Sequence, residues 1–286
     1  MIPAVRNLGI FAVALVALFG LAAVAGRLLD PDAPVGEADA DHSNGHSKEM
    51  KDMTSDNVRG LAVAENGLRL VIDDPELRGA AAHELRFRIV DREGHAVRDF
   101  DVEHTKRMHV IVVRRDLTGF QHLHAAMGPD GTWSTSLRLP DAGSYRVFAD
   151  FSHEGRPTTL AGELRVDGAA DLQALPAPQP VATSDGDYDV RLAAGAVRPG
   201  RETMLRFTVT RDGQPVAVEP YLGAGGHLVA LRESDLAFLH VHPVERSNGG
   251  SIAFAATFPT AGKYRLFLQF RVADRVQTVA FTQEAR

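Results

Sequence analysis

Histidine is the residue type in this sequence whose spacing points to chemistry. Met108 to His124 reads M-H-V-I-V-V-R-R-D-L-T-G-F-Q-H-L-H and carries His109, His122 and His124. Later in the chain, Gly226 to His242 reads G-H-L-V-A-L-R-E-S-D-L-A-F-L-H-V-H and carries His227, His240 and His242 at the same spacing. Neutral imidazole nitrogen is a ligand for Cu(II) and Zn, so three converging imidazoles make a metal site. A single H-x-H pair in a strand equally describes histidines hydrogen-bonded locally in a core or on a surface. Its return in a second copy, whose intervening residues differ, strengthens the ligand reading, although common ancestry alone also preserves spacing.

The copies are unequal around these triads. The first adds His104, in D-V-E-H-T-K-R, and His153, where the second has Leu222 and Val272, so the first is expected to bind more tightly. Met108 adjoins His109 and faces the other side of a strand, which removes it as a co-ligand. His83 and His95 fall at a strand start and in a turn and read as exposed loop histidines.

Composition narrows the chemistry. The chain has 286 residues, no cysteine, six methionines and a formal charge of −6. Absence of cysteine excludes disulfides, thiolate zinc sites, cysteine nucleophiles and a blue-copper centre. The acidic balance, with no basic run, argues against nucleic acid as a partner. No Ser-His-Asp or paired-carboxylate arrangement stands out, and no long insertion offers a pocket, so the chain is not expected to be an enzyme.

The elements that must position the histidines are strands. In H-E-L-R-F-R-I-V, Leu85, Phe87 and Ile89 alternate with charged residues, and in T-M-L-R-F-T-V-T, Leu205, Phe207 and Val209 do the same. Period-two runs separated by Gly, Pro and Asp continue through both copies, including one over 97–102, with no long helical period. R-R-D-L-T-G makes a hairpin turn, and a hairpin symmetric about residue 117 brings His109 towards His124 with His122 on the same face. Ile111, Val113 and Phe120 share that face, as do Val229, Leu231 and Phe238 in the second copy, which places each triad at the rim of an apolar surface. Leu139–Phe151 aligns with Phe258–Phe270 without a gap, and the turn before Tyr145 and Tyr264 has the form of the tyrosine corner of immunoglobulin-like sandwiches.

The expected fold is therefore all-β: an N-terminal transmembrane helix or signal segment followed by two tandem immunoglobulin-like antiparallel β-sandwiches. The expected divisions are a signal anchor at 1–29, a tether at 30–57, a first sandwich at 58–168, a proline-rich linker at 169–182 and a second sandwich at 183–286. Leu8 to Ala25 is an uncharged apolar run behind Arg6, long enough to cross a bilayer, with cleavage after Ala25 as the alternative. Either outcome puts the rest of the chain outside the cytoplasm. The tether contains His42, His46, Met50 and Met53, which would share one helix face, but its composition favours a solvated arm.

The run from Asp101 to Ala125, D-V-E-H-T-K-R-M-H-V-I-V-V-R-R-D-L-T-G-F-Q-H-L-H-A, resembles a motif in bacterial extracytoplasmic heavy-metal-associated proteins with immunoglobulin-like or YtkA-like domains. The likeness is strongest from Asp101 to Phe151 and fainter in the second copy. It implies copper or heavy-metal handling outside the cytoplasm, carried by His109, His122 and His124. Without Met-rich segments, Cu(II) is favoured over Cu(I), and zinc also suits the ligands. The expectation is a membrane-anchored metal-binding protein for buffering, delivery or resistance, with an envelope metal-handling protein as partner. The alternative is a non-catalytic cell-envelope interaction module whose histidines are structural.

Overall fold

A computed structural model describes residues 58–79, 81–239, 241–244 and 251–286. The apolar run at 8–25, the tether with its His and Met residues, and His240 lie outside the described residues. Among the described residues there is no helix long and apolar enough to cross a membrane.

The first repeat runs β1 (Ala64–Glu65), β2 (Leu68–Ile72), β3 (Glu76–Leu77), β4 (Ala81–Val90), β5 (His109–Arg114), β6 (Gln121–Leu123), β7 (Ala126–Met127), β8 (Trp133–Leu139), β9 (Gly143–His153) and β10 (Arg156–Val166). The second runs β11 (Val181–Thr183), β12 (Asp189–Ala194), β13 (Glu202–Arg211), β14 (Gln214–Pro215), β15 (His227–Arg232), β16 (Phe238–Leu239), β17 (Val241–Pro243), β18 (Ser251–Thr257), β19 (Gly262–Val272) and β20 (Arg275–Ala285). In the first repeat, one sheet has the order β1-β2-β4-β8-β7 and faces another with the order β3-β10-β9-β5-β6. In the second, β11-β12-β13-β18-β17, with β14 on β13, faces β16-β15-β19-β20. The fold is thus two tandem immunoglobulin-like sandwiches.

Alternation builds the two cores. Leu85, Phe87 and Ile89 turn inward from β4 to meet Trp133, Tyr145 and Leu160, while Leu205, Phe207 and Val209 turn inward from β13 to meet Phe254, Tyr264 and Phe281. Tyr145 and Tyr264 are fully buried, and their hydroxyls donate to the carbonyls of Asp141 (2.8 Å) and Thr260 (2.9 Å). These bonds close the tyrosine corners and give both tyrosines a structural task. The run expected as a strand at 97–102 is not one. Val97 N donates to Ile89 O beside an isolated Val90–Ala96 bridge, and the chain then leaves the ladder to drop Phe100 against Trp133 and Phe151.

Strands β5 and β15 break the alternating pattern, for β5 is buried along its whole length. Met108, Val110 and Val112 enter the core of the first sandwich. Ile111 and Val113, on the other face, join Phe148 and Ala161 in a separate cluster with Val229, Leu231, Leu236, Phe238 and Phe267 of the second repeat. The sheets bearing β5 and β15 therefore pack on each other, and the apolar face beside each triad is an interface between sandwiches. Phe120 stacks on Phe267 with ring centres 4.1 Å apart, and their sequence counterparts Phe238 and Phe148 meet at 5.5 Å. This reciprocity is that of a two-fold interface built within one chain.

The segments flanking the first repeat fasten the interface. Arg59 O accepts from Phe238 N (2.9 Å) while Gly60 N donates to Thr159 O (3.2 Å), so one dipeptide holds both repeats. Gly60 has φ +68°, and a Cβ there would lie 2.7 Å from the Phe148 ring and 2.9 Å from Phe238 Cβ. Arg115 reaches across to the Ser234 carbonyl (2.7 Å). The linker packs as well: Leu175 lies on the interface cluster, and Gln173 N donates to Asp116, itself paired with buried Arg114.

Candidate metal centre

Five histidines, His104, His109, His122, His124 and His227, gather at one end of this interface. His109 opens β5 and His227 opens β15, so both project from the packed faces. Ile111 pairs with His122 and Val110 with Leu123, a register that continues to bring His109 opposite His124, just past the end of β6. Ring centres lie 5.2 Å apart for His109 and His122, 5.2 Å for His109 and His124, and 5.0 Å for His122 and His124. His227 enters from the second repeat at 5.6 Å from His109 and 4.5 Å from His122. Gly226 permits this approach, since a Cβ there would stand 2.8 Å from the Gln269 carbonyl.

One nitrogen from each of His109, His122 and His227 lies within 4.8 Å of the others. His109 Nδ1 and His122 Nε2 are 3.0 Å apart. Two nitrogens sharing one ion at roughly 2.0–2.1 Å are about 3 Å apart, so this pair already has ligand spacing. The backs of both rings are held. His109 Nε2 donates to Glu103 O (3.2 Å), and His122 Nδ1 donates to Gln269 Oε1 (2.7 Å), while Gln269 Nε2 donates to Thr278 (3.3 Å). A ligating histidine is commonly fixed in this way, by a carbonyl on its far nitrogen.

With the Gln269 amide oxygen facing His122, those two protons are committed, and His109 Nδ1 and His122 Nε2 present lone pairs to each other. Burial pushes the pKa of His109 down to about 4 and that of His122 to about 3, and it holds His227 well below the usual histidine value, so the rings are neutral at pH 7. His124 is lowered by burial and by the charge of Lys106. His124 Nε2 and His227 Nδ1 are buried polar atoms without a hydrogen-bond partner. Asp150 faces His109 across the β5–β9 ladder, and burial raises its pKa to about 6 against the bond it accepts from Thr159.

His104 stands at the solvent side, its ring centre 6.2 Å from His109 and 6.1 Å from His227. Its turn is closed by paired bonds between Glu103 and Lys106, with His104 and Thr105 both left-handed at φ 47° and 70°. Because Glu103 O also holds His109, this turn is tied to the cluster. The second-repeat turn has Leu222 at φ 52° and Gly223 at φ 82°. His153 does not join the group. It ends β9, three residues beyond Asp150, and its Nδ1 donates to Asp99 O (2.7 Å). His242 is exposed on β17, and His240 lies outside the described residues.

The sequence reading placed each triad at the rim of its own sandwich, whereas the cluster is composite, with His227 set among the histidines of the first repeat. Gln269 and the Glu103 carbonyl were missed. A signal for Gln269 was present: it and Asp150 are the polar residues at one aligned position of otherwise apolar strands, F-L-Q-F and F-A-D-F, opposite His227 and His109.

No curated protein sequence matches the chain. Among solved structures, the Escherichia coli adhesin FdeC aligns over 77% of this chain and 65% of its own, at 16% identity and a TM-score of 0.27. A mutant Salmonella alpha-2-macroglobulin aligns over 80% and 15%, at 14% identity and a TM-score of 0.28. InvD of Yersinia pseudotuberculosis aligns over 78% and 58%, at 12% identity and a TM-score of 0.25. The chain spans less than two thirds of each of these proteins, and at such scores the likeness carries no argument about function. Residues 62–168 and 182–286 each match one family profile, and the chain belongs to that family, described as a domain of unknown function (DUF8832).

Proposed function

We propose that this protein is a non-catalytic metal-binding protein of the cell envelope, anchored by its N-terminal apolar run, that holds one transition-metal ion between its two sandwiches. His109, His122 and His227 are the ligands, and copper or zinc is the cargo. The observation that supports this reading is the convergence of one nitrogen from each of His109, His122 and His227 within 4.8 Å, with His109 Nδ1 and His122 Nε2 3.0 Å apart. In the tautomers that commit the other two ring protons to Glu103 and Gln269, two lone pairs meet at that distance, and a cation between them turns repulsion into coordination. An all-imidazole set suits Cu(II) and Zn. Buffering or delivery to an envelope metal-handling protein follows from a site with one exposed histidine, His104, at its edge.

The test is titration of the full chain with Cu²⁺ and with Zn²⁺ against a chromophoric chelator. The expected result is one tightly held equivalent, weakened by His109→Ala, His122→Ala and His227→Ala alike. Binding indifferent to His227→Ala overturns the composite site.

A second reading, a cell-envelope interaction module with structural histidines, rests on the Gln269 amide. Exchanging its oxygen and nitrogen gives an unbroken chain: Thr278 donates to Gln269, Gln269 to His122 Nδ1, His122 Nε2 to His109 Nδ1, and His109 Nε2 to Glu103 O. The same contacts then fasten the interface without a cation. Nitrogen-15 NMR of the imidazoles decides: a proton on His122 Nδ1 supports the metal site, and a proton on Nε2 supports the structural role.

A further inference from the structure

The composite set is not the one arrangement of three imidazoles at this end of the interface. His109, His122 and His124 have all three ring centres 5.0–5.2 Å apart, and all three come from the first repeat. An ion about 2.1 Å from each bound nitrogen places the ring centres of tetrahedrally disposed ligands about 5.2 Å apart. The nitrogens grouped within 4.8 Å are those of His109, His122 and His227, so His124 reaches the shared pair by turning its ring. His124 Nε2 is buried and without a hydrogen-bond partner, the same condition as His227 Nδ1 in the composite set. His109 belongs to both sets and touches every ring of the cluster.

The two sets differ in their distance from the apolar centre. Phe120, His122 and His124 succeed one another on one face, starting at the Phe120–Phe267 stack and running outward. His124 follows the last residue of β6, where the chain leaves one sheet of the first sandwich to enter the other at β7. A set ending at His124 is therefore the outer one, and all three of its ligands come from the first repeat.

We propose that the protein has two overlapping metal positions that share His109 and His122: an inner one completed by His227 and an outer one completed by His124. The inference rests on the metal-binding reading above. One ion occupies the pair at a time, because the shared nitrogens serve one ion at a time. The outer position receives the ion, and exchange of His124 for His227 moves it inward without releasing it from the other two rings. Departure follows the same route in reverse, so His124 is the exchange ligand and His227 the retaining one.

The test uses Co²⁺ as the probe, with the full chain and its His124→Ala, His227→Ala and doubly substituted forms. His124→Gln serves as a second variant, and circular dichroism checks each fold. Wild type is expected to bind one equivalent. His227→Ala keeps one equivalent, with a changed ligand-field spectrum and release to a chelator at least tenfold faster. His124→Ala and His124→Gln keep one equivalent in the inner position, with uptake and release at least tenfold slower. The double variant binds none. Wild-type spectrum and exchange rates in both His124 variants overturn the outer position and leave the composite site standing. Loss of all binding in either folded His124 variant also overturns it, since that shows one indivisible site. Failure of wild type to bind Co²⁺, Cu²⁺ or Zn²⁺ sinks both readings together.

Discussion

Mild acid should destabilise the metal-free protein, by an amount the buried imidazoles set. Burial depresses the pKa of His109 from 6.5 to about 4 and that of His122 to about 3, and it holds His227 well below 6.5. A histidine with a depressed folded pKa takes up protons more readily when unfolded, so its effect on stability is absent above pH 6.5 and grows as pH falls towards the folded value. At pH 5.5, above the folded values of His109 and His122, each ring costs about 1.4 kcal/mol relative to pH 7.5. The two rings together cost about 2.7 kcal/mol, and His227, lowered in the same direction, adds to the loss. Asp150 acts in the opposite sense: its pKa is raised to about 6 by burial, so protonation favours the folded state and returns about 0.8 kcal/mol over the same interval. The expected net loss is at least about 2 kcal/mol, a sizeable part of a typical domain's stability. Urea denaturation of the apo protein at the two pH values measures it. His122→Gln, which removes one buried titrating group, should shrink the difference by about 1.4 kcal/mol. Equal stability at pH 7.5 and 5.5 would refute the account of these rings as buried and neutral.

Three other substitutions test how the repeats and the His104 turn are held. Gly60→Val places a branched side chain against Phe148 and Phe238 at φ +68°, and should cost about 2–4 kcal/mol in a thermal melt. Phe267→Ala removes the partner stacked on Phe120 and should cost about 3–5 kcal/mol, with calorimetry resolving separate transitions for the repeats. Thr105→Gly relieves a β-branched residue at φ 70° and should stabilise the chain by about 1 kcal/mol, read as a rise of roughly 2–4 °C in Tm. An unchanged or lower Tm would show that the turn stores no strain.

The sandwiches were legible because half-buried strands write their faces into alternate residues, as at Leu85-Arg86-Phe87-Arg88-Ile89. The tyrosine corners were legible from the aligned turns before Tyr145 and Tyr264. The packing of one repeat on the other was harder to read, because an apolar strand face is the same signal whether it meets its own core or a neighbouring domain. V-I-V-V in β5 and L-V-A-L in β15 did hold a clue, since unbroken apolar runs mark strands covered on both sides. The histidines were found by spacing, but spacing says nothing about which copies meet. His227 reaches the first triad through a quasi-two-fold contact, a property of tertiary packing. The Glu103 carbonyl leaves no trace in sequence, and Gln269 left the aligned polar position described above.

X-ray absorption at the zinc edge, on the full chain loaded with one equivalent of Zn²⁺, tests the central claim most directly. The composite site predicts a first shell of nitrogen at about 2.0–2.1 Å with outer-shell scattering from at least three imidazoles, and a spectrum altered in His227→Ala, where the ion passes to the set completed by His124. A shell of oxygen with one imidazole or none, or a spectrum that His227→Ala leaves unchanged, would contradict a metal held between the two repeats.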